Sequence, residues 1–322
     1  MKPLIWIIDE EWPDYEVERE ILRDTFPDCR IEISAHDYQA DLEKFGVEAE
    51  AIICQIYVNL PREVIERLTV CRCISVYGGG YERVDIEAAR ERGIKVTNVA
   101  GYCNEDVTDY VMAAIYHFYK NLAALASTVA FRPWGARAVP VPPQRLSQSN
   151  LHIIGLGRIG QELAAKAGAN GLKVTAYDPY VPAEVMAGHG VRKTEWEEGL
   201  AGADYISVHM ALNEHTTGLL KYEDFKKMKP TAVLINAARG RIIDEEGVAR
   251  ALAENLIRGV MLDTLSIEPP TGREAILSLE NAVVTPHISY ISVQSFEELK
   301  RRAARNVVIG LLGGNSPDLV NG

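Results

Sequence analysis

Short apolar runs of four to six residues return along most of the chain, and a stretch with helical spacing follows most of them. In the first hundred residues the runs are Leu4–Ile8, Arg30–Ser34, Ala51–Gln55, Cys73–Tyr77 and Lys95–Asn98, with helical patterns at Glu16–Leu22, Pro61–Leu68 and Asp85–Arg92. A second series runs through Leu151–Ile154, Leu172–Tyr177, Tyr205–Val208, Ala232–Asn236, Gly259–Leu262 and Ala282–Thr285, and an amphipathic helix over Val293–Leu312 closes it. Near-continuous apolar strands separated by helices predict parallel sheets covered on both faces. Two such series in 322 residues predict two doubly wound parallel-sheet α/β domains.

Between the series, Asn104 is expected to cap a helix running to about Ala126. Phe131 to Asn150 carries Pro133, Pro140, Pro142 and Pro143, which is incompatible with a regular element and predicts an extended connector.

Composition narrows the function classes. The net charge of −11 argues against nucleic acid as a partner, because phosphate binding needs a basic stripe. Five cysteines, an odd number with no Cys-x-x-Cys pair, read as reduced thiols in a cytoplasmic protein, with Cys71 and Cys73 on one face of one strand. Leu4–Ile8 is too short for a secretory core, and no run approaches a membrane span, so no membrane partner is expected. The histidines His36, His117, His152, His189, His209, His215 and His287 form no His-Glu-x-x-His or Cys/His cluster, and no metal is expected.

The segment LHIIGLGRIGQELA carries Gly155, Gly157 and Gly160 as G-x-G-x-x-G, after an apolar strand and at the start of a helix. That context turns a weak motif into a dinucleotide-binding turn, with pyrophosphate at the helix N-terminus. Asp178 ends the next strand, where a carboxylate accepts from ribose hydroxyls and repels a 2′-phosphate. The cofactor read from these residues is NAD rather than NADP. Three later segments, NAARGRIID, DTLSIEPP and TPHISY, each follow a strand and contribute Arg239, Glu268 and His287. An anion clamp, a carboxylate and a titratable imidazole then lie at one sheet edge.

These segments, with GGGYERVD at Gly78–Asp85 and IKVTNVAGYCNEDVTDYV at Ile94–Val111, resemble the D-isomer-specific 2-hydroxyacid dehydrogenase family over essentially the whole chain. The branch it resembles holds phosphoglycerate dehydrogenase-like and C-terminal binding protein-like members. The resemblance implies a Rossmann cofactor domain at 101–287 and a flavodoxin-like substrate domain at 1–100 and 288–322. It implies reversible hydride transfer between NAD(H) and a small 2-keto or 2-hydroxy acid anion, by a homodimer. Arg239 would hold the substrate, His287 would be the acid/base, and Glu268 would pair with the imidazolium. Cofactor contacts fall on Gly155, Gly157, Arg158, Ile159, Gly160, Asp178, His209, Ala237 and Asp263, with Asp263 at the nicotinamide carboxamide. Substrate contacts fall on Tyr77, Gly78 and Gly79, joined by Arg239. Pocket residues by the same resemblance are Tyr57, Trp134 and Tyr290. Glu82 and Arg83 stand where the family usually has Asp and Asn. The alternative reading is an NAD(H)-sensing binding protein with little turnover, like the C-terminal binding protein corepressors.

Overall fold

The computed structural model describes residues 2–127, 129–130, 134–139 and 141–322. The chain divides into two compact units, Met1–Tyr102 with Ser292–Gly322, and Cys103–Ile291. The divisions fall a few residues beyond the expected 100/101 and 287/288. The second has a local cause. Ile288 and Ser289 donate their N–H groups to the Asp263 carboxylate at 2.8 Å each, which ties this segment to the strand before Asp263.

The first unit holds β1 (Leu4–Ile8), β2 (Arg30–Ser34), β3 (Ala51–Gln55), β4 (Cys73–Tyr77) and β5 (Lys95–Thr97), all parallel in the order β2-β1-β3-β4-β5. This is the flavodoxin-like order. Every residue of β1, β3 and β4 is buried, as strands covered on both faces must be. Trp6, Ile8, Ile52, Cys54, Ile74 and Val76 pack on one face. The other lies under the helices Glu16–Thr25 and Val293–Leu311. The chain end covers the open edge: Asn321 accepts the Val96 N–H and donates to the Ile94 carbonyl, both at 2.8 Å. Cys71 and Cys73 do not share a face. Cys71 precedes the strand and joins the Trp6 cluster, whereas Cys73 donates to the Val307 carbonyl of the closing helix.

The second unit holds β6 (Asn150–Ile154), β7 (Lys173–Tyr177), β8 (Arg192–Lys193), β9 (Tyr205–Val208), β10 (Val233–Asn236), β11 (Gly259–Leu262) and β12 (Ala282–Val284). They form one parallel sheet in the order β12-β11-β10-β9-β6-β7-β8, a Rossmann order with one added strand. Strand β8 was not expected; its two residues, Arg and Lys, carry no apolar signal.

The helix expected from Asn104 to about Ala126 ends at Lys120, and Leu122–Ser127 forms a separate one. Asn121 takes the left-handed conformation at φ 48° and caps the first helix, a conformation Asn tolerates better than most residues. Asn104 itself is the first helical residue, with Cys103 at the cap. In the connector, Gly135–Ala138 makes one short turn; Phe131, Pro133 and Pro140 lie outside the described residues.

Candidate active site

Sheet order decides where a ligand can enter the second unit. Strands β6 and β9 are neighbours where the order reverses, and a doubly wound sheet opens a crevice at the carboxyl ends of such a pair. The chain leaving β6 turns at Gly155, at φ +95°, where a Cβ would lie 2.7 Å from the carbonyl oxygen of His209 after β9. A Cβ on Gly160 would collide with the Gly155 carbonyl, whereas nothing approaches the corresponding position at Gly157. The turn is therefore tight where helix meets strand and open where a pyrophosphate must come close. The helix Arg158–Ala169 presents the first N–H groups of its N-terminal turn there, beginning at Arg158 and Ile159.

Asp178 directly follows β7, with its carboxylate fixed from two sides. One oxygen accepts the Leu156 N–H of the glycine turn, and the other accepts the Tyr180 N–H, both at 2.9 Å. A carboxylate has about four acceptor positions, so capacity remains for two hydroxyls. His209 Nε2 lies 2.8 Å from Ser207 Oγ, and desolvation pushes the imidazole down to about 4, so the ring is neutral at pH 7. An open glycine, a helix N-terminus and a fixed carboxylate together fit a dinucleotide.

The loops after β10, β11 and β12 hold the second group of residues. Asn236, the last residue of β10 and fully buried, donates to the Arg239 carbonyl at 2.9 Å and accepts the Ala238 N–H at 3.0 Å. This buried amide shapes the Ala237–Arg239 loop, and Arg239 Nη1 donates to the Ala238 carbonyl at 2.7 Å. Sequence reading missed Asn236; its only signal is an amide at the end of an apolar strand.

Asp263 follows β11 and is 1% exposed. It accepts from Thr285 Oγ1 at 2.7 Å and from the Ile288 and Ser289 N–H groups, while its carbonyl accepts the His287 N–H at 2.9 Å. Asp263 thus braces the segment that carries His287, a duty the sequence reading did not foresee. The brace holds His287 at φ +55°, in the left-handed region.

Glu268 and His287 meet directly, with Nδ1 3.0 Å from Oε2. The other Glu268 oxygen accepts the Leu265 N–H at 2.9 Å. Burial pushes the Glu268 carboxyl up. The bond to His287 and its charge, the Leu265 N–H and the Arg239 guanidinium act the other way and hold it below the usual carboxylate range. An ionised Glu268 makes Nδ1 the protonated nitrogen facing it. Arg239, Glu268 and His287 are therefore gathered at one edge of this sheet. Tyr290 stands beside His287, edge-on, with ring centroids 6.2 Å apart.

Tyr77, Gly78 and Gly79 belong to the first unit. Tyr77 is 1% exposed, its hydroxyl donates to Glu18 Oε1 at 2.8 Å, and its ring lies 4.2 Å from that of Trp12. Its side chain is part of the core, which corrects the expectation of a substrate contact through it. Asn98 Nδ2 and the Val99 N–H bind the carbonyls of Gly79 and Gly78 at 2.7 and 2.8 Å and fix the loop's course. Trp134 is 83% exposed, so it lines no pocket within its own unit. Among the described residues no group of three or more His, Cys, Asp or Glu side chains is gathered for a metal, and no helix is long and apolar enough to cross a membrane.

A Rossmann-ordered sheet with this turn, and a His–Glu pair at its edge, defines a dinucleotide-dependent α/β protein. Residues 112–289 match the family described as D-isomer specific 2-hydroxyacid dehydrogenase, NAD binding domain, and the chain belongs to that family. It is similar to a glyoxylate reductase of Thermococcus litoralis, 30% identical over 279 residues that cover 85% of this chain and 84% of the relative. A D-3-phosphoglycerate dehydrogenase of Mycobacterium leprae is also 30% identical, over 274 residues and 85% of this chain; the match spans only 51% of that relative. Among solved structures, the TT0316 protein from Thermus thermophilus superposes with a TM-score of 0.85 at 28% identity, covering 98% of this chain and 99% of that one. The chain is an NAD-dependent oxidoreductase acting on the CH–OH group of 2-hydroxy acids. The alternative of a sensor with little turnover is not favoured by these relatives.

Proposed function

We propose that the protein reduces a small 2-keto acid to the D-2-hydroxy acid with NADH, reversibly, and that His287 donates the proton. The observation that carries this reading is the 3.0 Å contact of His287 Nδ1 with Glu268, beside Arg239. With Nδ1 committed to Glu268, Nε2 is the ring nitrogen that faces reaction chemistry. In reduction it hands its proton to the oxygen of the former carbonyl; in oxidation it takes that proton back. Glu268 stabilises the imidazolium and keeps the ring in one orientation. Arg239 offers a planar, permanently charged fork to the carboxylate and carbonyl oxygens of the substrate.

Bound NAD(H) supplies the hydride chemistry. On this reading Gly155, Gly157, Arg158, Ile159 and Gly160 hold its pyrophosphate, Asp178 its ribose hydroxyls, His209 the adenosine side, and Ala237 and Asp263 the nicotinamide side. The glycine geometry and the doubly anchored Asp178 support this placement and favour NAD over NADP. We further propose a homodimer in the cytoplasm. Leu122, Trp134 and Val141, exposed by 69, 83 and 84%, support pairing through the segment after the helix Asn104–Lys120.

The test is kcat/KM for NADH oxidation across a panel of 2-keto acids, glyoxylate included, repeated with NADPH. At least one keto acid turned over with NADH preferred is the expected result. Absence of turnover across the panel, or a preference for NADPH, contradicts the reading.

A further inference from the structure

The turn that presents Glu268 is gripped from behind. On one side stands Gly240, next to Arg239. A Cβ there would run into the carbonyl of Leu265 and the nitrogen of Ser266, so the Arg239 loop and the Glu268 turn are in backbone contact. On the other side stands Glu245, the first residue of the helix Glu245–Ala253, whose Oε2 accepts the Ser266 N–H at 2.8 Å. The helix does not need that carboxylate as its cap, because Asp244 is the N-cap and already accepts the Gly247 N–H. Leu265, the residue before the one Glu245 holds, is the residue whose N–H grips Glu268 Oε1. One short turn thus transmits a clamp at Ser266 to the carboxylate facing His287.

We propose that Glu245 is a positioning residue for the reaction: through Ser266 it fixes the turn that keeps Glu268 against His287. The proposal rests on the reading of His287 as the proton donor. Among the described residues, Glu268 from the turn and Tyr290 from its own segment stand against His287, and the Arg239 guanidinium from the loop after β10 acts on Glu268. Of these, Glu268 makes the direct bond to the ring, and a slackened turn lengthens that bond first. An imidazolium with a weaker counter-charge gives up its proton at lower pH, so reduction fails earlier on the alkaline side.

The test compares the full-length wild type with Glu245→Ala and Glu245→Gln. Glu245→Ala is expected to lower kcat for keto-acid reduction about tenfold and to move the alkaline limb of the kcat profile down by about half a pH unit or more, with the KM for NADH unchanged. Glu245→Gln keeps an acceptor oxygen for the Ser266 N–H and is expected to restore both. Melting temperatures are measured alongside. A lower melting temperature for Glu245→Ala with kcat and the alkaline limb unmoved would assign Glu245 a helix-stabilising role only and overturn the proposal. His287→Asn, run in parallel, separates the two levels. If it keeps wild-type turnover, the proton-donor reading fails. If it loses turnover while Glu245→Ala behaves as wild type, only the positioning role fails.

Discussion

Glu268 sits under opposing forces, and their balance sets its role. Burial favours the neutral acid, but the imidazole, the Leu265 N–H and the Arg239 guanidinium hold the carboxyl below its usual range. Its lowered value means that the carboxylate facing His287 is ionised at neutral pH and is neutralised only as the pH falls through that value. Glu268→Gln removes the counter-charge but keeps an acceptor. It should shift the alkaline limb of keto-acid reduction to lower pH and cut kcat at pH 8 about tenfold or more; an unshifted limb would show that the carboxylate does not support the proton on His287. Asp178 makes a separate prediction. Asp178→Asn keeps an acceptor for only one of the Leu156 and Tyr180 N–H groups and removes the negative charge, so the NADH-over-NADPH ratio of kcat/KM should narrow about tenfold, and an unchanged ratio would contradict its assignment. Arg239, Glu268, His287 and the glycine turn were legible in the sequence because each follows an apolar strand, which fixes its edge of the sheet. Asn236 and Glu245 were not, because their importance lies in the loop N–H or carbonyl each one satisfies, and no spacing encodes a tertiary partner. Tyr77 was misread for a related reason: adjacency to a glycine loop does not say which way a strand's last side chain points.

At the scale of elements, long apolar strands announced themselves and weak ones did not. The expected bounds of β1, β2, β3, β4, β9 and β11 are those of the structure, while β8, two charged residues at a sheet edge, offered nothing to read. The helix break at Asn121 was equally hidden, since an unbroken helical pattern does not reveal one left-handed residue. Strand β6 carries a buried histidine with a measurable consequence. His152 Nδ1 lies 3.0 Å from Thr175 Oγ1, and its ring packs against Gly199, where a Cβ would have no room. Burial first, with the charge of Arg192 adding to it, pushes His152 down to about 4 from an ordinary 6.5. The folded protein therefore keeps this ring neutral where the unfolded chain protonates it. Its stability is complete above about pH 6.5 and falls as the pH drops toward 4. The expected loss is about 2 kcal/mol between pH 7.5 and pH 5. Urea unfolding at both pH values checks this: His152→Val should lose about that much less stability on acidification than wild type, and an equal loss in both would contradict it.

The whole molecule joins a flavodoxin-ordered sheet and a Rossmann-ordered sheet, each fully parallel, and the parallel pairing, though not the strand order, follows from the strand–helix alternation that the sequence displays twice. What alternation could not give is the identity of the substrate, because pocket shape depends on side chains from loops whose course is set by tertiary contacts. Nor does it give the assembly. Sedimentation at micromolar concentration should show a dimer, and Trp134→Ser with Val141→Ser should weaken it; a wild-type monomer would contradict the proposed pairing. The central claim is that His287, held by Glu268 beside Arg239, is the proton donor of a keto-acid reductase. It is tested most directly by measuring turnover of NADH with a reactive 2-keto acid for wild type and His287→Asn, with NADH affinity measured for both. The account predicts a kcat lower by a factor of about a hundred or more with NADH affinity retained. Wild-type turnover by the His287→Asn protein would contradict it.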